Sequence, residues 1–248
     1  MQPSKSRGQT ADNAPVDHAD DHQPPAPPDL VEDASRSLQL IVERLFDAPD
    51  RQSARRLAPA SAMIPGMGES TLTIRAAVLD DADAMGRLHV RAWQRAYRGV
   101  MPDAYLDALL PSERAEMWRG NLARAGVPPV LVATLDDTVV GCAAFGAAEP
   151  PTPGESATSG ELYAINLDPD HWGRGIGRSL LRRATDELAA LGYDDAVLWV
   201  LPENARARAL YESEGWTADG GVATEEILGV TVTDIRYRKS LAASADAS

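Results

Sequence analysis

The chain has 248 residues and a formal net charge of −13, with a pI near 4.7. An acidic balance of that size argues against a nucleic-acid partner, because a phosphate backbone selects basic surfaces. A hydrophobic fraction of 44% is enough for a buried core, and the lone cysteine, Cys142, forms no internal disulfide and suits a reducing cytoplasm.

Residues 1 to about 28 are rich in Pro, Asp, Gln, Ala and His and are expected to be disordered. Leu38, Leu40, Ile41, Val42, Leu45 and Phe46 suggest a short helix within Leu30 to Phe46, and Pro49 to Ser70 reads as a linker. Residues 1–70 therefore form an extension ahead of a domain spanning 71–241, with 242–248 as a disordered tail. The extension is read either as the product of an upstream start, since Met63 and Met67 lie just before the domain, or as a segment whose helix docks in a partner groove. The reading without a function is preferred. No apolar run follows a basic start, so no secretion signal is expected, and no run is long enough to span a membrane.

Within the domain, Thr71-Leu72-Thr73-Ile74-Arg75 alternates like a first strand. Asp80 to Tyr97 has Met85, Leu88, Ala92 and Trp93 near helical spacing, and Gly99 and Pro102 end it. A second helical region is expected from Asp103 to about Ala125. Val130 to Leu135 and Val139 to Phe145 read as strands joined at Asp136-Asp137-Thr138. Glu149 to Gly160 reads as a loop overhanging a cleft. A strand from Glu161 to Leu167 and a helix from Ser179 to Leu191 follow, then a strand over Asp195 to Leu201 and a short helix from Asn204 to Gly215.

Between the Glu161 strand and the Ser179 helix lies His171-Trp172-Gly173-Arg174-Gly175-Ile176-Gly177-Arg178. Strand, glycine-rich turn and helix in that order make an anion site. The first helical amides have no internal partners, and the helix dipole adds positive charge there. A Walker A loop needs Lys then Ser or Thr after its last glycine, and here Arg178 and Ser179 stand instead. The glycines also miss the dinucleotide spacing.

This turn, followed by Asn204 through Tyr211 to Gly215-Trp216, resembles the GCN5-related N-acetyltransferase (GNAT) superfamily. The resemblance implies a mixed α/β fold, with a splayed sheet of about six to seven strands flanked by about four helices. It implies acetyl-CoA as co-substrate, and the four scattered histidines, two of them in the N-terminal extension, give no reason to expect a metal. Backbone amides from Gly173, Arg174, Gly175, Ile176, Gly177 and Arg178 would bind the pyrophosphate. Ile165, Asn166 and Leu167 would pair with the pantetheine arm as an added strand would, and Asn204 would bond the cofactor. Tyr211 would stand beside the sulfur, and Trp93, Gln94 and Tyr97 would line the acceptor wall. The acceptor would be a small-molecule amine, and a homodimer is common among such proteins.

Two departures from the pattern matter. Many members carry Gln or Arg three residues before the middle glycine, where this chain has Trp172, so that side chain's contribution to the phosphate is lost, though Arg174 or Arg178 could supply charge. Members that acetylate ribosomal-protein termini carry a glutamate five residues before the asparagine, where this chain has Trp199, which counts against that subgroup.

The chemistry can also be argued from the residues. An ammonium must lose a proton before it attacks, the acetyl oxygen needs a fixed donor, and the leaving thiolate needs an acid. Tyr211 is the phenol of the second motif, and its alternative role is an aromatic packed on the sheet. Glu161 is the candidate base, set against a plain exposed charge at a strand start, and Glu203 is a second carboxylate that flanks the helix at Asn204. Asn204 also suits a helix N-cap. A peptide-terminus acetyltransferase and a CoA-binding module without catalysis are the alternative functions.

Overall fold

The computed structural model describes residues 59–63, 70–124, 129–148, 159–227 and 230–241. Its strands are β1 (Ala60–Met63), β2 (Thr71–Ala76), β3 (Val130–Leu135), β4 (Thr138–Ala147), β5 (Ser159–Leu167), β6 (Asp195–Val200), β7 (Thr217–Ile227) and β8 (Val230–Ser240). They form one sheet in the order β1-β2-β3-β4-β5-β6-β8-β7. All neighbours run antiparallel except β5 and β6, which are parallel. The helices are α1 (Ala82–Ala96), α2 (Asp103–Ala108), α3 (Pro111–Ala123), α4 (Ile176–Ala190) and α5 (Ala205–Ser213). The splayed mixed α/β sheet matches the expectation, with eight strands and five helices among the described residues.

Both faces of the central strands are covered, which is why β3 and β4 read as nearly continuous apolar runs. Leu131, Ala133 and Leu135 of β3 join Ala143 and Phe145 of β4 in a core beneath α4, built with Ile176, Leu180, Leu181, Ala184 and Leu188. Each fully buried leucine there contributes roughly 2 kcal/mol. Val130, Val132, Cys142 and Ala144 point the other way, toward Ala82, Met85, Leu88 and Trp118 of α1 and α3. These two helices cross at Gly86, where a Cβ would lie 2.5 Å from the Pro111 carbonyl oxygen and 2.6 Å from the Ala115 nitrogen. A third cluster joins Val90, Met101, Tyr105, Leu106 and Leu109 to Leu201 and Val232, fastening the helical layer to the far half of the sheet.

Several boundaries differ from the sequence reading. β1 falls inside the expected linker and pairs with β2 from Ala60↔Ile74 to Met63↔Thr71. The expected helix from Asp103 to Ala125 is two helices, because Leu109 and Leu110 are extended before Pro111, which takes the first turn of α3. Ser159 and Gly160 belong to β5 rather than to the preceding loop. α4 begins three residues earlier than read, at Ile176, because Gly175 acts as its cap. The β3–β4 turn has Asp136 and Asp137 both at positive φ (48° and 66°), as a two-residue hairpin turn requires. The expected helix within 30–46, most of the loop 149–160 and the tail 242–248 lie outside the described residues.

The parallel pair β5–β6 holds together only from Ser159↔Asp195 to Glu161↔Val197. Beyond Glu161 the strands part, while β5 stays paired to β4 through Leu167↔Gly141. A bulge at Tyr163, between Leu162↔Phe145 and Ala164↔Ala144, bends β5 at the same point. The sheet therefore opens into a V at the level of Glu161. No described helix is long and apolar enough to cross a membrane.

Candidate active site

The glycine turn closes one end of the V. Gly173 and Gly175 sit at φ +79° and +81°, a conformation costly for any other residue, and open space surrounds both. The first hydrogen bond of α4 runs from the Ser179 amide to the Gly175 carbonyl at 3.0 Å. The amides of Ile176, Gly177 and Arg178 thus precede the helical ladder, an arrangement that suits an anion. A methyl group at Gly177 would meet only Leu167 and Leu210 side chains, at 3.7 Å.

Trp172 has a definite role at this turn. Its indole N–H donates to the Leu167 carbonyl at 2.9 Å, and the Arg206 guanidinium stacks 4.8 Å above its ring. It latches the turn to the end of β5 and to the first turn of α5. Arg178 is only partly available for phosphate: its Nε lies 2.8 Å from Glu214, which also takes a bidentate pair from Arg182. Arg174 is exposed.

Along the open strand, Ile165 and Leu167 are half-buried and Asn166 is buried beside Cys142. Burial pushes the Cys142 thiol up to about 12, so it stays protonated and inert. The opposite wall of the V comes from β6, β8 and α5.

Tyr211 lies on this wall, buried against Trp216 and Tyr237 at ring separations of 6.5 and 6.3 Å. It packs on the sheet, as one reading of the sequence had it, and also lines the cleft. Burial, and next the neighbouring Tyr97, raise its phenol above the ordinary value. Asn204 is the N-cap of α5, its side-chain oxygen accepting from the Ala207 amide at 3.2 Å, and it also hydrogen-bonds the Tyr97 side chain. Burial pushes Tyr97 up to about 12, with the charge of Asp234 adding to the effect.

Tyr97 and Trp93 both line the cleft, Trp93 being stacked on His89 at 4.9 Å and edge-on to Tyr97 at 5.2 Å. Gln94 does not belong to this wall. Its amide donates to the Leu106 carbonyl at 2.9 Å and ties α1 to α2. Glu161 is half-buried at the apex of the V and opens onto the cleft. Glu203 is exposed and leaves the capping to Asn204.

Asp234, which the sequence reading missed, lies on β8 between Val232 and Arg236. Val232 packs toward α1 and α2, whereas Ile235 points into the α4 core, so alternation turns Asp234 toward the cleft. Its carboxyl is pushed up to about 6, chiefly by burial and then by Glu225 and Glu203. The run Val230-Thr231-Val232-Thr233-Asp234 carried a strand signal, but nothing local marked one acid as facing a cleft. Across these elements the cleft encloses about 1320 Å³.

A sheet split at one parallel pair, with a glycine turn at the mouth and a buried phenol opposite, defines an acyl-CoA-dependent transferase fold. A model of the acetyltransferase (GNAT) family matches residues 89–216, and the chain belongs to that family. Over 134 residues it is 31% identical to the uncharacterized N-acetyltransferase YuaI of Bacillus subtilis, a match covering 54% of this chain and 73% of that protein. Over 61 residues it is 54% identical to a mycothiol acetyltransferase of Beutenbergia cavernae; that match covers 25% of this chain but only 20% of the relative's length. Among solved structures, PaiA N-acetyltransferase from Thermoplasma acidophilum in complex with coenzyme A superposes with a TM-score of 0.55 at 18% identity, covering 68% of this chain and 98% of that one.

Proposed function

We propose that the chain transfers an acetyl group from acetyl-CoA directly to the primary amine of a small molecule, with both substrates bound together. The observation that carries this reading is the parting of β5 from β6 at Glu161↔Val197, between the Gly173–Arg178 turn and Tyr211. The turn amides suit a diphosphate. The unpaired edge of β5 near Ile165, Asn166 and Leu167 suits the amide groups of a pantetheine arm, as an added strand would. These features fit acetyl-CoA, which supplies the activated acetyl group as a thioester.

The roles of the side chains follow from their surroundings. A backbone N–H on the freed part of β5 stabilises charge developing on the acetyl oxygen. Tyr211, kept firmly protonated by burial, donates a hydrogen bond to the departing sulfur. Its raised pKa makes full proton transfer to a thiolate uphill, so that proton is replaced from the attacking nitrogen as the bond breaks. Glu161 draws the ammonium to the apex of the V, and Trp93 and Tyr97 flank it. Asn204 holds the start of α5 and the Tyr97 hydroxyl in register with the cofactor. Relatives named as mycothiol acetyltransferases support a small-molecule acceptor.

A screen of amines with mass detection of the acetylated product, alongside thiol release, tests the proposal. Acetylation of at least one small amine is expected. Binding of acetyl-CoA with no transfer to any amine would favour a binding module, and transfer confined to peptide termini would move the acceptor class.

A further inference from the structure

We propose that Asp234 is the proton acceptor for the attacking amine. This rests on the acetyl-transfer reading above and identifies a catalytic residue within the same cleft. Asp234 occupies the cleft-facing register of β8. Asp234 pairs with Ala223 of β7, which sets Glu225 diagonally across from it on the same face, and Glu203 before α5 and Tyr97 at the end of α1 line the same cleft. On its own strand the next cleft-facing residue, Arg236, is held by Asp219 through Nε contacts of 2.9 and 3.0 Å. Arg238, the other cleft-facing arginine of β8, is likewise paired with Asp219 and Asp195, and the charges that act most on Asp234 are the carboxylates of Glu225 and Glu203.

Such surroundings do two things at once. They attract an ammonium, and they make the carboxylate a stronger base than an exposed aspartate, with its proton affinity pushed up to about 6. A base with that affinity is ionised at neutral pH yet able to accept a proton, the compromise that general-base catalysis favours. Glu161, across the V, then serves to hold the amine rather than to deprotonate it.

The proton balance closes without a further reactant. An R–NH3+ group gives one proton to the Asp234 carboxylate. The free amine forms an N–C bond to the acetyl carbon, and the C–S bond breaks with its electron pair going to sulfur. The second nitrogen proton reaches the sulfur by way of Tyr211, leaving amide and thiol. Asp234 returns its proton to solvent.

The test compares wild type with Asp234→Asn and Asp234→Glu. For Asp234→Asn, kcat is expected to fall about 100-fold, with the acetyl-CoA Kd within threefold of wild type. The acidic limb near pH 6 should vanish from its kcat profile, and Asp234→Glu should restore part of the rate. Retained acetyl-CoA binding shows that the variant is folded. A second measurement needs no acceptor: carboxyl carbon NMR of the free enzyme should show a resonance titrating near pH 6 that is missing in Asp234→Asn. Turnover of Asp234→Asn within threefold of wild type, an unchanged acidic limb, or titration in the ordinary aspartate range would overturn the proposal. Lack of transfer by wild type to any amine would instead strike the acetyl-transfer reading, and would show up before any variant is compared.

Discussion

Replacing Asp234 by Asn should stabilise the protein while it impairs the reaction. The carboxyl goes from an ordinary 3.8 to about 6 on folding, because burial and the Glu225 and Glu203 charges disfavour its ionised form. That displacement corresponds to about 3 kcal/mol of cost for the charged form. Asp234 is only half-buried, so solvent screening reduces the usable figure to about 1–2 kcal/mol. The sign follows from proton counting. Between pH 4 and 6 the folded state binds more protons than the unfolded state, so wild-type stability falls as pH rises through that window and then levels off. Asn carries no charge and escapes the penalty. Above pH 7 the variant should be more stable by about 1–2 kcal/mol, or roughly 3–6 °C in Tm for a domain of this size. The gain should shrink below pH 6 and be lost near pH 4. Urea unfolding of both proteins at pH 8, 6 and 4 measures it. A variant no more stable than wild type at pH 8, or a gain independent of pH, would refute the reasoning.

Three other outcomes can be checked. Tyr211→Phe should lower kcat by about 10- to 100-fold with the acetyl-CoA Kd nearly unchanged, because the ring still packs on Trp216 and Tyr237 while the donor is gone; thiol release and calorimetric binding separate the two. Gly175→Ala should cost about 1–2 kcal/mol of stability and weaken acetyl-CoA binding, because its φ of +81° strains any L side chain, whereas Gly177→Ala should fold as wild type, its added methyl meeting only ordinary contacts at 3.7 Å; unfolding and binding isotherms on the pair test this. Gly86→Ala should destabilise by about 1–3 kcal/mol or more, since its Cβ would overlap the backbone of α3 at Pro111 and Ala115, and its thermal unfolding should show the loss without any change in the cleft residues.

Much of this architecture was legible in the sequence because its signals are local. Glycines 173 and 175 mark a tight turn, and both take left-handed backbone there. The strand before them and the helix after them carry periodicities that survive folding, so the glycine turn was placed between the right elements. Asn204, three residues before the Ala207 amide, has the spacing of a cap and makes one. Boundaries failed where two local rules competed. The apolar pattern running from Asp103 to Ala125 hid the extended pair Leu109–Leu110, of which Pro111 restricts Leu110 as the residue before it. β1 went unread because four residues, Ala60–Met63, acquire strand geometry only by pairing with β2.

The acceptor side was harder to read, for a physical reason. A cofactor is gripped largely by backbone, and backbone geometry leaves its mark in glycines and in strand and helix order. An acceptor is gripped by side chains whose meaning depends on what the chain brings opposite them. Gln94 shares a helix with Trp93 and Tyr97, but its amide turns aside to the Leu106 carbonyl, a partner twelve residues away. Asp234 is one acid among 37 acidic residues. It becomes distinctive only because β8 inserts beside β6, a reversal of strand order that sets it near Glu203 and Tyr97. The carboxylate proposed to serve the amine is thus defined by topology rather than by motif. Acceptor choice in this fold should accordingly follow substitutions on β7, β8 and the end of α1, while acetyl-CoA binding stays with the turn.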